Sequence, residues 1–324
     1  MHPITDPQLA AGLAAFDAAV PGGITIDDIP AAREFLNGLT AVMAEQAPEI
    51  SGVVTSDHFA AGPPDEQGGG PEVLVRIYQP ESRPDTLPAL LWIHGGGYVL
   101  GTMEGDDLKA KALALSLNCV VASVEYRLAP EHPFPAPVED CYAALKWLAD
   151  NTGEFGINPA RIAIGGASAG GGLAAGLGLM ARDRTEVDVC FQLLIYPMLD
   201  DTNVAQAGPD APDAPVWTRA NNLIGWRSYL GQEPGSDGVS AYAAPFRAKD
   251  VGGLPPTYIG VGTPDLFRDE DIAYAQRLIA AGVPTELHVY VDGFHGFDNL
   301  VAESDTAQRF TAEYTQLLAR VLHS

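Results

Sequence analysis

Four short stretches hold residue types that could act together on an acyl group. Gly166-Ala167-Ser168-Ala169-Gly170 has the form G-x-S-x-G, and it joins an apolar run, "RIAIGG", to a helix-compatible one, "GLAAGLGLM". At a strand-to-helix junction this pattern forces the serine into a sharp turn that exposes its Oγ at the edge of a sheet. The flanking glycines let strand and helix approach with no Cβ between them. "LLWIHGGGYVLG" ends another apolar run in His94-Gly95-Gly96-Gly97, a loop whose consecutive amides suit a developing oxyanion. "TYIGVG" leads into Thr263-Pro264-Asp265, and "ELHVYV" leads into "DGFHGF", which contains His295. Loops at strand ends are where sheet proteins keep their reactive groups.

Ser168 as nucleophile, His295 as general base and Asp265 as the group that orients the imidazole make a complete set for nucleophilic attack on a carbonyl. Their chain order, Ser then acid then His, is the order expected of an α/β-hydrolase. Asp269 and Glu270 are rival acids four and five positions after Asp265, but they fall in a first helical turn, where a surface or dipole role is expected. His94 is expected to fix its loop by hydrogen bonding. His58 and His288 lie inside strands, and His2 and His323 lie near the termini. Gly170-Gly171-Gly172-Leu173-Ala174-Ala175 also satisfies the dinucleotide pattern G-x-G-x-x-A. It begins after the turn, so its amides are committed to a helix and cannot face a pyrophosphate.

The elements that must hold these groups are legible as eight short apolar runs: "GVVTSDHF", "EVLVRIYQ", "ALLWIH", "CVVASVEY", "RIAIGG", "FQLLIYP", "TYIGVG" and "ELHVYV". The middle ones are continuously hydrophobic, as strands buried on both faces of a mostly parallel sheet are. Helical stretches such as 138–151 and 269–282 lie between them, the second stopped by Gly282 and Pro284. The expected fold class is α/β, an eight-stranded, mostly parallel sheet flanked by helices. Two segments interrupt the alternation: residues 1–50, with two amphipathic helices, and a Pro/Gly/Asp-rich excursion within 200–250 around one short helix bearing Trp217 and Trp226. Neither can bury a core of its own. They are expected to form a cap over one catalytic domain, residues 51–324, with the cap insertion at about 200–245 and with both tryptophans and the amino-terminal helices lining or covering the site. Residues 60–71 read as a turn between the first two strands.

Composition narrows the functions. The 324 residues are 47% hydrophobic, ample for a large core. Eighteen basic against 42 acidic residues give a net charge of −24, which repels nucleic acid and anionic membranes. Solubility explains such charge, and adaptation to salt is the sharper alternative. Cys119, Cys141 and Cys190 are odd in number and embedded in apolar stretches, which suits small core residues in a reducing compartment. No spacing of His and Cys suggests a metal. The first twenty residues lack a basic start and carry Asp6 and Asp17, so no secretory signal is expected. A cytoplasmic enzyme or binding protein is the expectation.

The stretches "HGGGYVLG", "YRLAPEHPFPAPVED", "GGASAGGGLAA", "PDLFRDE" and "HGF", in that order across residues 70–300, resemble the hormone-sensitive-lipase-like branch of bacterial carboxylesterases. The resemblance implies an α/β-hydrolase with a helical cap, no cofactor, and hydrolysis of small, short-to-medium-chain esters. It also implies a triad of Ser168, Asp265 and His295, an oxyanion hole of the Gly96, Gly97 and Ala169 amides, and a structural part for Glu131 near the site. Relatives pair through the edge strand at "ELHVYV", so a homodimer is implied. Two positions depart from the pattern: Ala167 stands where aspartate or threonine is usual, and Asp265-Leu266-Phe267 replaces the usual D-P-L. Two other functions share these residues: hydrolysis of amides, which the triad alone does not separate from ester hydrolysis, and ligand binding without catalysis, as in the plant gibberellin receptor. Retention of His295 argues against the latter.

Overall fold

A computed structural model describes residues 4–47, 49–63, 70–204 and 214–324. Eight strands form one sheet: β1 (Val53–Ala61), β2 (Glu72–Pro80), β3 (Leu87–Ile93), β4 (Val120–Glu125), β5 (Ile157–Ala167), β6 (Phe191–Ile195), β7 (Thr257–Gly262) and β8 (Thr285–Tyr290). Their spatial order is β1-β2-β4-β3-β5-β6-β7-β8. Only β2 runs against its neighbours; β3 through β8 pair in parallel. Each expected apolar run falls on one of these strands. β3, β6 and β7 are buried along their whole length, whereas β1, at the sheet edge, carries exposed positions on most of its length.

The described helices are α1 (Pro7–Ala19), α2 (Ile29–Gln46), α3 (Asp107–Leu117), α4 (Ala136–Asp150), α5 (Thr152–Phe155), α6 (Ala169–Arg184), α7 (Arg219–Leu230), α8 (Arg268–Ala280), α9 (Phe297–Leu300) and α10 (Asp305–Leu322). One face of the sheet is covered by α4, α6 and α8, the other by α3 and α10. α10 shows why a helix docks there. Ser304 caps its first turn by accepting from the Ala307 amide, and Phe310, Tyr314, Leu317 and Leu318 recur every three to four residues on its buried face. α6 is different: residues 169–181 are buried without exception. A helix so enclosed must be thin, which accounts for its glycine and alanine content. At Gly170 a Cβ would stand 2.1 Å from the Ile93 carbonyl oxygen, so any side chain would pry the helix off the end of β3.

Register decides where the site falls. Ile93 pairs with Gly166 and Ala167 with Ile195, so the loop after β3 and the turn after β5 emerge side by side. Gly262 pairs with Tyr290, and beyond them the Thr263 amide donates to the Tyr290 carbonyl and the Asp292 amide to Thr263 Oγ1. The loops carrying Asp265 and His295 are thereby laced together.

The two segments expected as a cap meet each other: Asn221 Nδ2 of α7 donates to the Ile24 carbonyl in the α1–α2 connection, 2.7 Å away. α2 is strapped to the body by Arg33. α1 instead packs beside α9 and contributes Leu9 to the core under α3 and α10. Within the expected insertion, residues 205–213 lie outside the described residues, as do 64–69 of the β1–β2 turn.

Candidate active site

Ser168 follows β5 with φ 58° and ψ −124°, a backbone conformation that only a tightly held turn imposes on a residue with a Cβ. Its amide donates to the Ile195 carbonyl and its carbonyl accepts from the amides of Gly172 and Met198. The turn is thus bonded to both β6 and α6. Ser168 Oγ lies 2.9 Å from His295 Nε2, and His295 Nδ1 lies 2.9 Å from Asp265 Oδ2. Asp265 Oδ1 accepts from the Phe267 amide, also at 2.9 Å. A carboxylate can only accept, so the proton of a neutral imidazole sits on Nδ1 and Nε2 is left to accept from the serine hydroxyl. Tyr196 and Phe267 set their rings edge-on to the imidazole, at 4.7 and 5.2 Å between centroids. All three triad side chains belong to residues less than a tenth exposed.

Beside Ser168 the loop after β3 takes φ 121° at Gly96 and 60° at Gly97. The Gly96 carbonyl accepts from the Val99 and Leu100 amides, while the amides of Gly96, Gly97 and Ala169 donate to no described residue. Three undirected N–H groups beside a hydroxyl oxygen are what an oxyanion would use. His94 fastens the loop from beneath: its Nδ1 is 2.8 Å from the Gly95 carbonyl oxygen, its ring stacks on Tyr126 at 4.3 Å, and the Tyr126 hydroxyl donates to the His94 carbonyl. Glu131 lies at the surface, away from the triad. Arg33 of α2 grips both its carboxylate oxygens at 2.8 Å and also donates to the Val99 and Ala129 carbonyls. That pairing pulls the Glu131 carboxyl down to about 2.

A cavity of about 270 Å³ opens over Ser168 and His295. Leu36, Asn37 and Thr40 of α2 roof it, and Val216 and Trp217 close one side. The two expected tryptophans therefore part company. Trp217 lines the cavity; Trp226 does not, because it faces inward from α7, fully buried against Tyr98 and Tyr229. A second expectation is corrected at the rival acids. Asp269 is exposed and paired with Arg268, but Glu270 is buried and accepts from the Leu199 and Asp200 amides and from Asn203, tethering the chain that follows β6. Sequence reasoning passed over Tyr196 and Arg33. Tyr196 immediately follows β6, so the strand-end rule that found Asp265 and His295 reaches it too. Arg33 had no local signal. Among the described residues no group of three or more His, Cys, Asp or Glu could hold a metal, and no helix is long and apolar enough to cross a membrane.

A parallel sheet with a serine on the turn after β5, backed by a histidine and an acid from the last two strand ends, defines a hydrolase-type site on an α/β scaffold. A family model described as alpha/beta hydrolase fold matches residues 90–299, and the chain belongs to that family, in the hormone-sensitive-lipase-like branch that its motifs resemble. Among its relatives, Carboxylesterase NlhH of Mycobacterium tuberculosis is 38% identical over 262 residues, covering 78% of this chain and 80% of the relative. Esterase LipI of the same organism is 37% identical over 325 residues, 99% of this chain and 96% of the relative. The solved structure titled Bacterial Heroin Esterase superposes with a TM-score of 0.91 at 44% identity, covering 99% of this chain and 100% of that one.

Proposed function

We propose that this protein is a serine carboxylesterase that hydrolyses small esters of short to medium acyl chain through an acyl-serine intermediate. The observation that carries the reading is the continuous relay from Ser168 Oγ through His295 to Asp265, two contacts of 2.9 Å each. His295 takes the Ser168 proton as Oγ attacks the ester carbonyl, and the new oxyanion is received by the amides of Gly96, Gly97 and Ala169. His295 then returns the proton to the departing alcohol. A water molecule, activated by the same imidazole, releases the acid. Asp265 holds the ring in the required tautomer and stabilises its charged form. The named activities of the relatives support the ester as the substrate class, and a cavity of about 270 Å³ suits small substrates.

α2 and the segment at Val216 and Trp217 act as the cap against the substrate, while α1 belongs to the body of the domain. Three unpaired cysteines, two of them buried, fit a reducing cytoplasm. Val289 and Val291, exposed at the β8 edge, give a homodimer an apolar strand to pair through.

Ser168→Ala tests the nucleophile. Turnover of phenyl acetate and phenyl butyrate should fall on the order of 10⁶-fold with circular dichroism and melting unchanged. Wild-type rates in that variant would refute the assignment.

A further inference from the structure

The cavity over Ser168 has one wall unlike the rest. Towards Leu36 and Trp217 it is apolar; on the side of the His295 loop it is charged, with Asp106, Lys109 and Asn299 lining it. These charges are built in. Asp106 Oδ2 accepts from the indole nitrogen of the fully buried Trp92 at 2.6 Å. Lys109 Nζ donates to Asp298 Oδ2 at 3.1 Å and sits 5.5 Å above the Trp92 ring. Asp298 is itself locked by the Tyr196 hydroxyl at 2.6 Å, and its side chain is 1% exposed. Burial pulls the Lys109 ammonium down, but the neighbouring carboxylates, Asp298 foremost, outweigh it and keep the group charged.

These groups keep unused bonding capacity on residues that line the cavity. Asp106 Oδ1 accepts from no described residue, and two of the three Lys109 ammonium hydrogens have no described partner. An apolar group laid against them would strip both of water and return nothing. An anion is opposed, since one cation stands against the two carboxylates of Asp106 and Asp298. A neutral group that both donates and accepts satisfies both sides at once, and the hydroxyl is the smallest such group. Asp298, which holds Lys109, lies three residues after His295, and its other partner, Tyr196, packs edge-on to the imidazole, so this wall stands on the side from which the imidazole would hand a proton to the leaving alcohol.

We infer that Asp106 and Lys109 form a leaving-group subsite for hydroxyl-bearing alcohols, which makes esters of polyols the favoured substrates. The inference rests on the esterase reading above. Its test compares kcat/KM for glycerol 1-acetate and propyl acetate, each rate divided by the alkaline hydrolysis rate of the same ester. The wild type should favour the glycerol ester about tenfold, the worth of one hydrogen bond to a charged group. Asp106→Asn keeps the acceptor for Trp92 and should lower the preference to about threefold or less. Lys109→Met/Asp298→Asn removes both charges of the buried pair, keeps an acceptor for the Tyr196 hydroxyl, and should lower it too. Equal rates for the two esters in the wild type, an unchanged preference in both variants, or a preference for methyl glycerate over methyl butyrate, which moves the hydroxyls to the acyl half, would overturn the subsite. Failure of the wild type to cleave phenyl acetate would be a failure of the esterase reading instead.

Discussion

Arg33→Met should loosen the roof of the site without touching the triad. The guanidinium of Arg33 spends its donors on four acceptors: the Val99 carbonyl at 2.7 Å, the Ala129 carbonyl at 2.8 Å, and both oxygens of Glu131. These are unequal. Glu131 is half exposed, so its ion pair is worth no more than about 1 kcal/mol once water screens it. Val99 and Ala129 are wholly buried, and each carbonyl left without its donor costs about 1–2 kcal/mol. The total is about 2–5 kcal/mol, most of it from the carbonyls. Leu36, Asn37 and Thr40 ride on the same helix and roof the cavity, and Val99 follows the Gly96-Gly97 amides. KM should therefore rise about tenfold or more with a smaller fall in kcat, and limited proteolysis should cut within residues 29–46 faster than in the wild type. Glu131→Gln should show a minor fraction of both effects. Its deficit should also titrate. Because Arg33 holds the Glu131 carboxyl at about 2, against an ordinary value of 4.5, the pair stabilises fully above pH 4.5, and its contribution is lost as pH falls towards 2. The gap between Glu131→Gln and wild type should close over that window, and the larger Arg33→Met deficit should persist. Unchanged KM and unchanged cleavage in Arg33→Met would show that α2 is held by its apolar face alone.

Two further perturbations probe the interior. At Gly97, with φ 60°, an added Cβ would stand 2.2 Å from Cη2 of Trp217, so Gly97→Ala should displace an oxyanion donor and lower kcat by about 100-fold. Trp217→Leu in the same background should recover part of the loss, and wild-type kcat in Gly97→Ala would remove the 96–97 amides from the mechanism. Asp271 of α8 is fully buried with neither carboxylate oxygen hydrogen-bonded among the described residues, and burial, then the Glu270 and Asp265 carboxylates, raise its pKa well above the ordinary value. Its carboxyl then stays protonated in the folded chain where the unfolded chain has already ionised. The folded state loses ground from about pH 4 upward, by about 1.4 kcal/mol per pH unit until the folded-state pKa is passed. Asp271→Leu should therefore gain in urea stability over the wild type as the pH rises from about 4, and a pH-independent difference would contradict this account.

The grouping of Ser168, Asp265 and His295 was legible because each lies at a strand end that composition announces. Eight apolar runs, bounded by Gly, Pro and Asp, place Ser168, Asp265 and His295 at one rim of a parallel sheet, and local rules suffice for that. Trp226 was misjudged for the converse reason. From sequence, Trp217 and Trp226 are two aromatics on one short segment, but Trp217 precedes the Thr218 cap of α7 while Trp226 falls on the inward face of the helix. One faces substrate and the other faces Tyr98. Glu270 was misjudged because a first-turn acid is ordinarily solvated. Here the chain after β6 folds back over α8 and supplies three donors from residues 199–203.

By itself the sequence determined the strands, the sharp turn at Ser168 and the chemistry available to its partners, since backbone propensity and motif spacing are local properties. Only the tertiary structure decided that Arg33, 98 positions before Glu131, straps the roof, and that Lys109 and Asp298, 189 positions apart, place a charged pair at the cavity over Ser168. Pairings at such distances along the chain are set by sheet register and helix docking. No short window of residues contains them, because their energies exist only once the two elements have packed.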